Sequence, residues 1–462
     1  MSLPGTIRSF LEETNAPYEV LNHHRTTTLG QAAQACELTL NELTRTVVLA
    51  DEQGLLMAIM SAEDLLDFDA LGKQFNRDLE LVPQERLGEI FDDCERGSCP
   101  PLAKIYGLEA VIDSKLKERK KIIFEPGSHT ALIRMSGSDF SDLFDKTTYA
   151  SITRELALLH PSDMDSSSRE MTALMPKPLL QSMNAFHELP PVPVTTTQLL
   201  KLSADPLASA GQLADVVKLD PVLATQILRY ANSAMYGYAG KIKDLQSAIA
   251  RVLGFDFVLN LALALSVCKA LPIPPDGPYG LNAFWKQAVY SGRLIEMLTH
   301  LIPGKKRPYR GTAYLAGLLQ NIGWLALGNA FHPEFFILNK MAEANPDIPA
   351  KDLEKNVLGV THDQIGAWLM EAWGMPEELT VAIQHHHNEG YWDQHAIYPQ
   401  LTLIASRLLA TYGIGSSDNI ELPLFSLELL GLEETKARLA TEDLLTKSQD
   451  LDALATMLSD HG

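Results

Sequence analysis

The chain contains 462 residues, which is enough for two or three domains that each bury a hydrophobic core. Its 38 basic and 58 acidic side chains give a formal net charge of −20, so most of the surface disfavours nonspecific binding to nucleic acid or anionic membranes. Four scattered cysteines are too few for a disulfide framework, and the N-terminus lacks the basic and apolar regions of a signal peptide. The most apolar run, residues 258–267, is too short to cross a bilayer and predicts a buried helix. We therefore expect a cytoplasmic protein without a membrane span.

Residues 1–150 have the pattern of an α+β domain. Short β-branched runs, typical of strands, alternate there with segments of helical spacing. These runs lie at residues 46–49, 55–60 and 121–124.

The residue composition and the hydrophobic periodicity of the chain change after this domain. Residues 151–177 are rich in polar turn formers, including three consecutive serines at 166–168, and predict a linker. Residues 178–395 carry helical spacing throughout, with proline and glycine between the predicted helices, and predict an all-α domain. Residues 396–462 predict a helical extension that packs on this domain and ends, from about residue 426, in two short amphipathic helices. The predicted fold is therefore multidomain, α+β followed by all-α.

Several motifs of the first domain occur together in a fixed order. They are Pro17-Tyr18-Glu19-Val20 with His23-His24, Thr44-Arg45-Thr46, Gly97-Ser98-Cys99-Pro100, and Glu125-Pro126-Gly127-Ser128-His129. Residues 1–145 resemble the YbaK family, also called the prolyl-tRNA-synthetase-associated domain, whose members remove wrong amino acids from tRNA. The resemblance implies a pocket for a small aminoacyl ligand or the end of a tRNA. The residues that it places at this pocket are His24, Arg45, Gly97, Ser98, Pro100, Gly127 and His129.

The Gly-x-x-Pro loop suits ester chemistry, because glycine lets backbone N–H groups approach the ester and proline stiffens the turn. The alternative on the local sequence alone is an ordinary surface turn between helix and strand. Arg45 stands where active members of the family carry a substrate-contacting lysine. Arginine keeps the positive charge and suits a phosphate or carboxylate, but it does not release a proton near neutral pH. This departure from the family pattern argues against deacylase activity.

A short basic run at residues 115–121 offers a second hypothesis for tRNA contact. No aromatic residue interleaves it, so we favour a solvated hairpin tip as its explanation.

The helical half contains motifs that also occur in order. They are Asp220-Pro221-Val222-Leu223, Ala231-Asn232-Ser233 and Leu245-Gln246-Ser247-Ala248. Asp220 before Pro221 predicts a helix N-cap. Over residues 178–390 the chain resembles the HDOD family, the HD-related output domains of bacterial signalling proteins. The resemblance implies an all-α HD-like fold.

Metal-dependent phosphohydrolases of the HD type carry a His-Asp dyad where this chain has Gln320-Asn321. The flanking residues locate the other ligand positions, which hold Gln287 and Ser406, while histidines remain at His362 and His386. Neutral amides and a hydroxyl lack the charge that a catalytic divalent ion needs. We therefore expect a degenerate metal site, no bound metal, no cofactor and no hydrolytic activity in this half.

The remaining histidines have two interpretations. In the first, their ring nitrogens form hydrogen bonds at helix ends. In the second, two of them bind an adventitious transition metal ion. Within the run 385–387, neighbouring side chains on a helix point about 100° apart, so one or two rings at most converge.

Two hypotheses about function follow. In the first, the protein is a bacterial signal-transduction regulator with a non-catalytic HDOD output domain, an editing-like ligand-binding domain and a signalling protein as partner. In the second, it is an aminoacyl-tRNA deacylase that the HDOD domain regulates. The sequence identifies neither the partner nor the oligomeric state.

Overall fold

The computed structural model describes residues 3–459 apart from 27, 145–147, 155–190, 204, 206, 233–239, 416, 418 and 419. Two compact units are present. The first comprises Met1–Asp163 together with Lys340–Asn356, and the second comprises Met164–Asn339 together with Val357–Gly462. A short segment from the helical half of the sequence therefore belongs to the N-terminal unit. Residues 155–177 of the predicted linker lie outside the described residues.

The strands of the N-terminal unit form three sheets. The strands are β1 (Tyr18–Asn22), β2 (Thr44–Asp51), β3 (Gly54–Ser61), β4 (Leu65–Leu66), β5 (Glu80–Leu81), β6 (Glu109–Asp113), β7 (Lys121–Phe124), β8 (Ala131–Ser136), β9 (Thr148–Ala150) and β10 (Thr153–Arg154). The largest sheet has the order β5-β2-β3-β6-β9, and the others have the orders β1-β8-β7 and β10-β4. The predicted strands at residues 46–49, 55–60 and 121–124 are confirmed as parts of β2, β3 and β7.

A tight hairpin joins β2 to β3 and sets the register of the central sheet. Asp51 Oδ1 accepts hydrogen bonds from the backbone N–H groups of Gln53 and Gly54, which closes the turn. In the antiparallel pairing that follows, Arg45 lies opposite Met60. The strand β3 then pairs with β6 in parallel, so the sheet is mixed.

Helices connect several of these strands, and the side chains of Thr28, Asp67 and Ser136 cap the N-termini of three of them. Thr28 Oγ1 accepts from the N–H of Gln31, and Asp67 Oδ1 accepts from the N–H of Ala70. The helices are α1 (Gly5–Glu13), α2 (Leu29–Ala35), α3 (Phe68–Phe75), α4 (Gln84–Ile90) and α5 (Gly137–Asp142). The α+β class predicted for this half is confirmed.

The second half is helical throughout its described residues, as predicted. Its helices are α6 (Val194–Ser203), α7 (Ala210–Val217), α8 (Pro221–Ala231), α9 (Leu245–Ser247, continued by a π-helical turn to Leu253), α10 (Phe255–Lys269), α11 (Leu281–Leu301), α12 (Arg310–Leu319), α13 (Ile322–Ala330), α14 (His332–Ala344), α15 (Ala350–Leu358), α16 (His362–Ala372), α17 (Glu377–His385), α18 (Ile397–Ala410), α19 (Leu424–Leu430), α20 (Glu434–Leu445) and α21 (Ser448–Ser459). The end of α14 and most of α15 belong to the N-terminal unit.

Two local predictions for this half are confirmed and one is wrong. Asp220 caps α8, because its carboxylate accepts from the N–H groups of Val222 and Leu223. The apolar run 258–267 lies buried within α10. After residue 423 the chain forms three helices and not two, because Gly431 ends α19 in the left-handed conformation that favours glycine. Of these three helices, α20 and α21 pack against α11.

Within the described residues, every helix is too short or too polar to span a lipid bilayer.

Candidate functional site

A cavity of about 280 Å³ lies in the N-terminal unit beside the first half of β2. One wall is formed by β2 residues 44–48, and another by the loop of residues 96–99 with Glu125 and His129. A third wall is formed by the end of α14 and the turn that follows it, through Glu343, Ala344, Pro346 and Asp347. The cavity is therefore built from strands, loops and the segment that the helical half contributes.

The structure brings three of the seven predicted pocket residues to this cavity. Arg45, Gly97 and His129 line it. Ser98, Pro100 and Gly127 lie in the same two loops but do not line it, and His24 is exposed elsewhere.

Glu95 joins the two loops of the pocket to one another. Its backbone carbonyl accepts from the N–H of Ser98, and its N–H donates to the carbonyl of Gly127. Its side chain accepts from the N–H of His129 at 2.7 Å. Gly97 adopts φ = +92°, a backbone conformation that residues with a Cβ atom rarely adopt. This conformation allows the loop to turn at the edge of the cavity.

His129 is a fixed cation in the cavity wall. Its Nδ1 lies 3.0 Å from Glu125 Oε1, and its Nε2 lies 2.9 Å from the carbonyl oxygen of Arg96. The hydrogen bond that His129 donates to Glu125 raises the pKa of His129 to about 9, although burial of the ring opposes this. Both ring nitrogens therefore donate at neutral pH, and His129 is not available as a general base.

We expect the contribution of His129 to stability to depend on pH. Because its pKa is raised in the folded protein, this contribution is complete below about pH 6.5 and is lost as the pH rises through about 9. Between pH 6 and pH 9.5 the wild type should lose up to about 3 kcal/mol of unfolding free energy relative to His129→Ala. Urea unfolding at both pH values measures this difference, with the exposed His24→Ala as the control. A difference between wild type and His129→Ala that stays constant with pH would contradict the assignment.

Arg45 is buried, with 5% of its surface exposed, and the chain itself supplies its hydrogen-bond acceptors. Its Nη1 donates to the carbonyl of Ala344, and its Nη2 donates to Asn345 Oδ1 and, at 3.1 Å, to the carbonyl of Asp64. Burial lowers the pKa of Arg45 to about 10, which Asp347 and Asp64 oppose, so the guanidinium stays charged at neutral pH.

The segment that meets Arg45 is itself held by several hydrogen bonds. The fully buried Asn345 donates from Nδ2 to the carbonyl of Met341 at 2.5 Å and accepts at Oδ1 from the N–H of Leu66 at 3.2 Å. Asp347 Oδ1 accepts from the N–H of Leu29 at 2.8 Å. Burial raises the pKa of Asp347, and the positive charge of Arg45 opposes that shift.

Sequence reasoning missed this segment. Asn345-Pro346-Asp347 stands between two predicted helices and has the composition of an ordinary turn. Its distance of about three hundred residues from β2 leaves no local signal of contact with Arg45.

Three polar atoms of β2 lack a hydrogen-bond partner within the described part of the chain. They are Thr44 Oγ1, Thr46 Oγ1 and Arg45 Nε, and their residues all line the cavity. Buried polar groups in folded proteins are almost always paired, with protein, water or a ligand. The cavity is therefore suited to a polar occupant.

The basic run at residues 115–121 connects β6 to β7, and two of its charges are engaged locally. Lys115 forms an ion pair with Asp64 at 3.0 Å, and Arg119 donates to Asn41 Oδ1 at 2.6 Å.

In the helical unit, hydrogen bonds among amides and hydroxyls join the residues that the sequence predicted at the HD-type ligand positions. Asn321 Nδ2 donates to Gln287 Oε1 at 2.9 Å. Gln320 Nε2 donates to Ser291 Oγ at 2.8 Å, and Gln320 Oε1 accepts from Ser406 at 3.0 Å. These four predicted positions offer no carboxylate or imidazole, so they do not fit the divalent cation of an HD-type hydrolase.

The predicted histidines lie together beside that network, with a third that was not singled out. His362 Nε2 lies 3.3 Å from His386 Nε2 and 3.2 Å from His387 Nε2. His362 and His386 are fully buried and His387 is half-buried. Two rings of the run 385–387, those of His386 and His387, thus converge on His362. The sequence predicted that at most two rings of this run would converge.

Comparison with known proteins identifies both halves. Residues 23–143 match the family model of the aminoacyl-tRNA editing domain, and residues 189–389 match that of the HDOD domain. The chain carries an editing domain followed by an HDOD domain. Both resemblances predicted from the sequence are therefore confirmed.

Two solved structures and one sequence relative accompany these matches. One solved structure is described as a signal transduction protein from Marinobacter aquaeolei VT8, and its sequence is 30% identical to this chain. The two structures superpose with a TM-score of 0.80, and the match covers 99% of this chain and 100% of that one. An HDOD domain protein from Geobacter sulfurreducens is 19% identical with a TM-score of 0.50 over 63% of this chain and 96% of its own, and it supports the fold alone. An uncharacterized protein of Treponema pallidum (strain Nichols) is 26% identical over 201 residues, 44% of this chain, and the match spans only 38% of that protein.

Proposed function

We propose that this protein is a bacterial signal-transduction regulator in which the editing domain binds a small aminoacyl or amino-acid-like ligand. The HDOD domain serves as a non-catalytic output module that contacts a signalling protein. A ligand derived from tRNA and cysteines kept as thiols both suit a cytoplasmic location. The observation that carries the proposal is the contact of Arg45 with Ala344 and Asn345 in the segment contributed by the helical half.

Because Arg45 already donates to Ala344 and Asn345, a ligand that binds the Arg45 guanidinium competes with this segment for the same hydrogen bonds. A ligand carboxylate or phosphate forms charge-assisted, paired hydrogen bonds with arginine, which are stronger than those to the neutral acceptors of Ala344 and Asn345. Such a ligand at Arg45 displaces the segment. Since α14 ends and α15 begins at this segment, displacement alters the ends of two helices that continue into the HDOD domain.

The remaining cavity has the chemistry for the rest of such a ligand. Glu125 and Asp347 offer carboxylates to an amino group, and the unpaired hydroxyls of Thr44 and Thr46 offer hydrogen bonds to an ester or a ribose. The loop at Gly97 borders the part of the cavity where the carbonyl group of the bound ligand would lie.

Calorimetry with a non-hydrolysable aminoacyl-adenosine analogue tests the proposal. Asn345→Ala removes a hydrogen bond that holds the segment on Arg45, and we expect the analogue to bind about tenfold more tightly than to the wild type. Arg45→Ala should abolish binding.

Asn339→Ala is a matched control in α14, the helix that ends just before Asn345. Asn339 is also buried and also donates to the carbonyl four residues earlier, but its Oδ1 accepts from Tyr279 instead of Arg45. This variant should bind like the wild type. If wild type and Asn345→Ala both fail to bind any analogue of a panel of amino acids, the sensor function is refuted.

A second candidate function, an aminoacyl-tRNA deacylase, draws support from the same unpaired hydroxyls of Thr44 and Thr46. In that reaction a water molecule attacks the ester carbonyl and yields a free amino acid and the 3′-hydroxyl of tRNA. Arg45 and the protonated His129 stabilise negative charge but accept no proton from the water. Hydrolysis of mischarged tRNA by the wild type, accelerated in Arg45→Lys, would favour this enzyme over the sensor.

A further inference from the structure

The three histidines of the HDOD domain have the spacing of ligands on a single metal ion. Two nitrogens bound to one tetrahedral zinc ion, each at about 2.05 Å, lie about 3.3 Å from one another. The two Nε2 distances centred on His362 are 3.3 and 3.2 Å. Ligand atoms of all three histidines lie within 4.8 Å of one another, and among the described residues this is the single His, Cys, Asp and Glu cluster with such spacing.

The neighbouring contacts prepare one of these rings for coordination. His386 Nδ1 donates to the carbonyl of Ile383 at 2.7 Å, so in the neutral ring the lone pair is on Nε2, the atom that faces His362. A hydrogen bond from the second ring nitrogen to a backbone carbonyl is the usual support of a metal-bound histidine.

Hydrogen bonds among the rings explain the arrangement less well. Each Nε2 holds one proton or one lone pair in the plane of its ring. His362 Nε2 therefore forms one well-directed hydrogen bond, yet it lies at hydrogen-bond distance from both His386 and His387. A cation bound by the three Nε2 atoms accounts for both distances together.

We propose that His362, His386 and His387 bind one zinc-class divalent ion that joins the start of α16 to the chain after α17. Three neutral imidazoles without a carboxylate select zinc, nickel or cobalt over magnesium, calcium or manganese. The ion is structural, because the adjoining Gln287, Gln320, Asn321 and Ser406 positions lack the ligands of a hydrolytic centre. This site is independent of the ligand pocket in the editing domain and replaces the expectation that the domain is metal-free.

Zinc titration of the full-length, chelator-treated protein tests the site, with binding followed by calorimetry and stability by thermal unfolding. We expect one zinc ion per chain and a higher Tm in its presence. Cobalt should give the visible absorption of a protein-bound ion with nitrogen ligands. The variant His387→Ala changes a half-buried side chain, so its fold should be preserved, and its zinc affinity should fall by more than about a hundredfold.

His385→Ala is the matched control from the same run of histidines. Its ring stacks on Tyr391 with centroids 3.9 Å apart and does not belong to the cluster. This variant should bind zinc like the wild type. The proposal is overturned if the wild type takes up no zinc, or if His387→Ala and His385→Ala bind it equally well and gain the same Tm.

Discussion

Replacing Arg45 with methionine is expected to lower the free energy of unfolding of the editing domain by about 3–5 kcal/mol. The guanidinium is buried and donates to Ala344, Asn345 and Asp64, and its charge lies close to that of Asp347. Methionine fills a similar volume but leaves these acceptors without their donor and the Asp347 carboxylate without its cation. Removing one partner from a buried charged network typically has an effect of this size.

Urea unfolding followed by circular dichroism measures the loss, and hydrogen exchange locates it in β2 and residues 340–356. Arg25→Met is the control, because 65% of the Arg25 side chain is exposed although it pairs with Glu95 at 2.9 Å. An exposed pair of this kind contributes about 1 kcal/mol or less. Equal effects of the two substitutions would mean that Arg45 does not hold the segment.

Replacing Gly323 with alanine is expected to destabilise the HDOD domain by about 3 kcal/mol. Gly323 lies in α13 where this helix packs against the start of α16, and a Cβ there would overlap the backbone carbonyl of His362. Alanine favours a helix by about 1 kcal/mol over glycine. The overlap outweighs this gain, because the neighbouring atom is backbone and cannot rotate away.

Thermal and urea unfolding of the variant measure this effect against Gly304→Ala. A methyl group at Gly304 would meet no neighbouring atom within 4 Å, so this substitution should change stability by less than about 0.5 kcal/mol. A Gly323→Ala protein as stable as the wild type would show that α13 and α16 can separate without cost to the core.

Part of the pocket could be predicted because its residues occur in short motifs of one domain. Arg45, Gly97 and His129 converge on the cavity as members of three such motifs. His24 also belongs to a motif but is exposed away from the cavity, since the direction of a side chain depends on the path of its loop. The protonation state of His129 was equally outside the reach of the sequence, because it depends on two acceptors placed by separate loops.

By itself the sequence determined the classes of the two halves, the strands β2, β3 and β7 and the cap at Asp220. These features depend on residue type and on contacts between residues that are close in sequence, so they can be predicted from the sequence alone. Only the tertiary structure decided that residues 343–347 face Arg45 and that His387 joins His362 and His386. Both are contacts between residues far apart in sequence, and their geometry follows from how helices and sheets pack rather than from any local pattern.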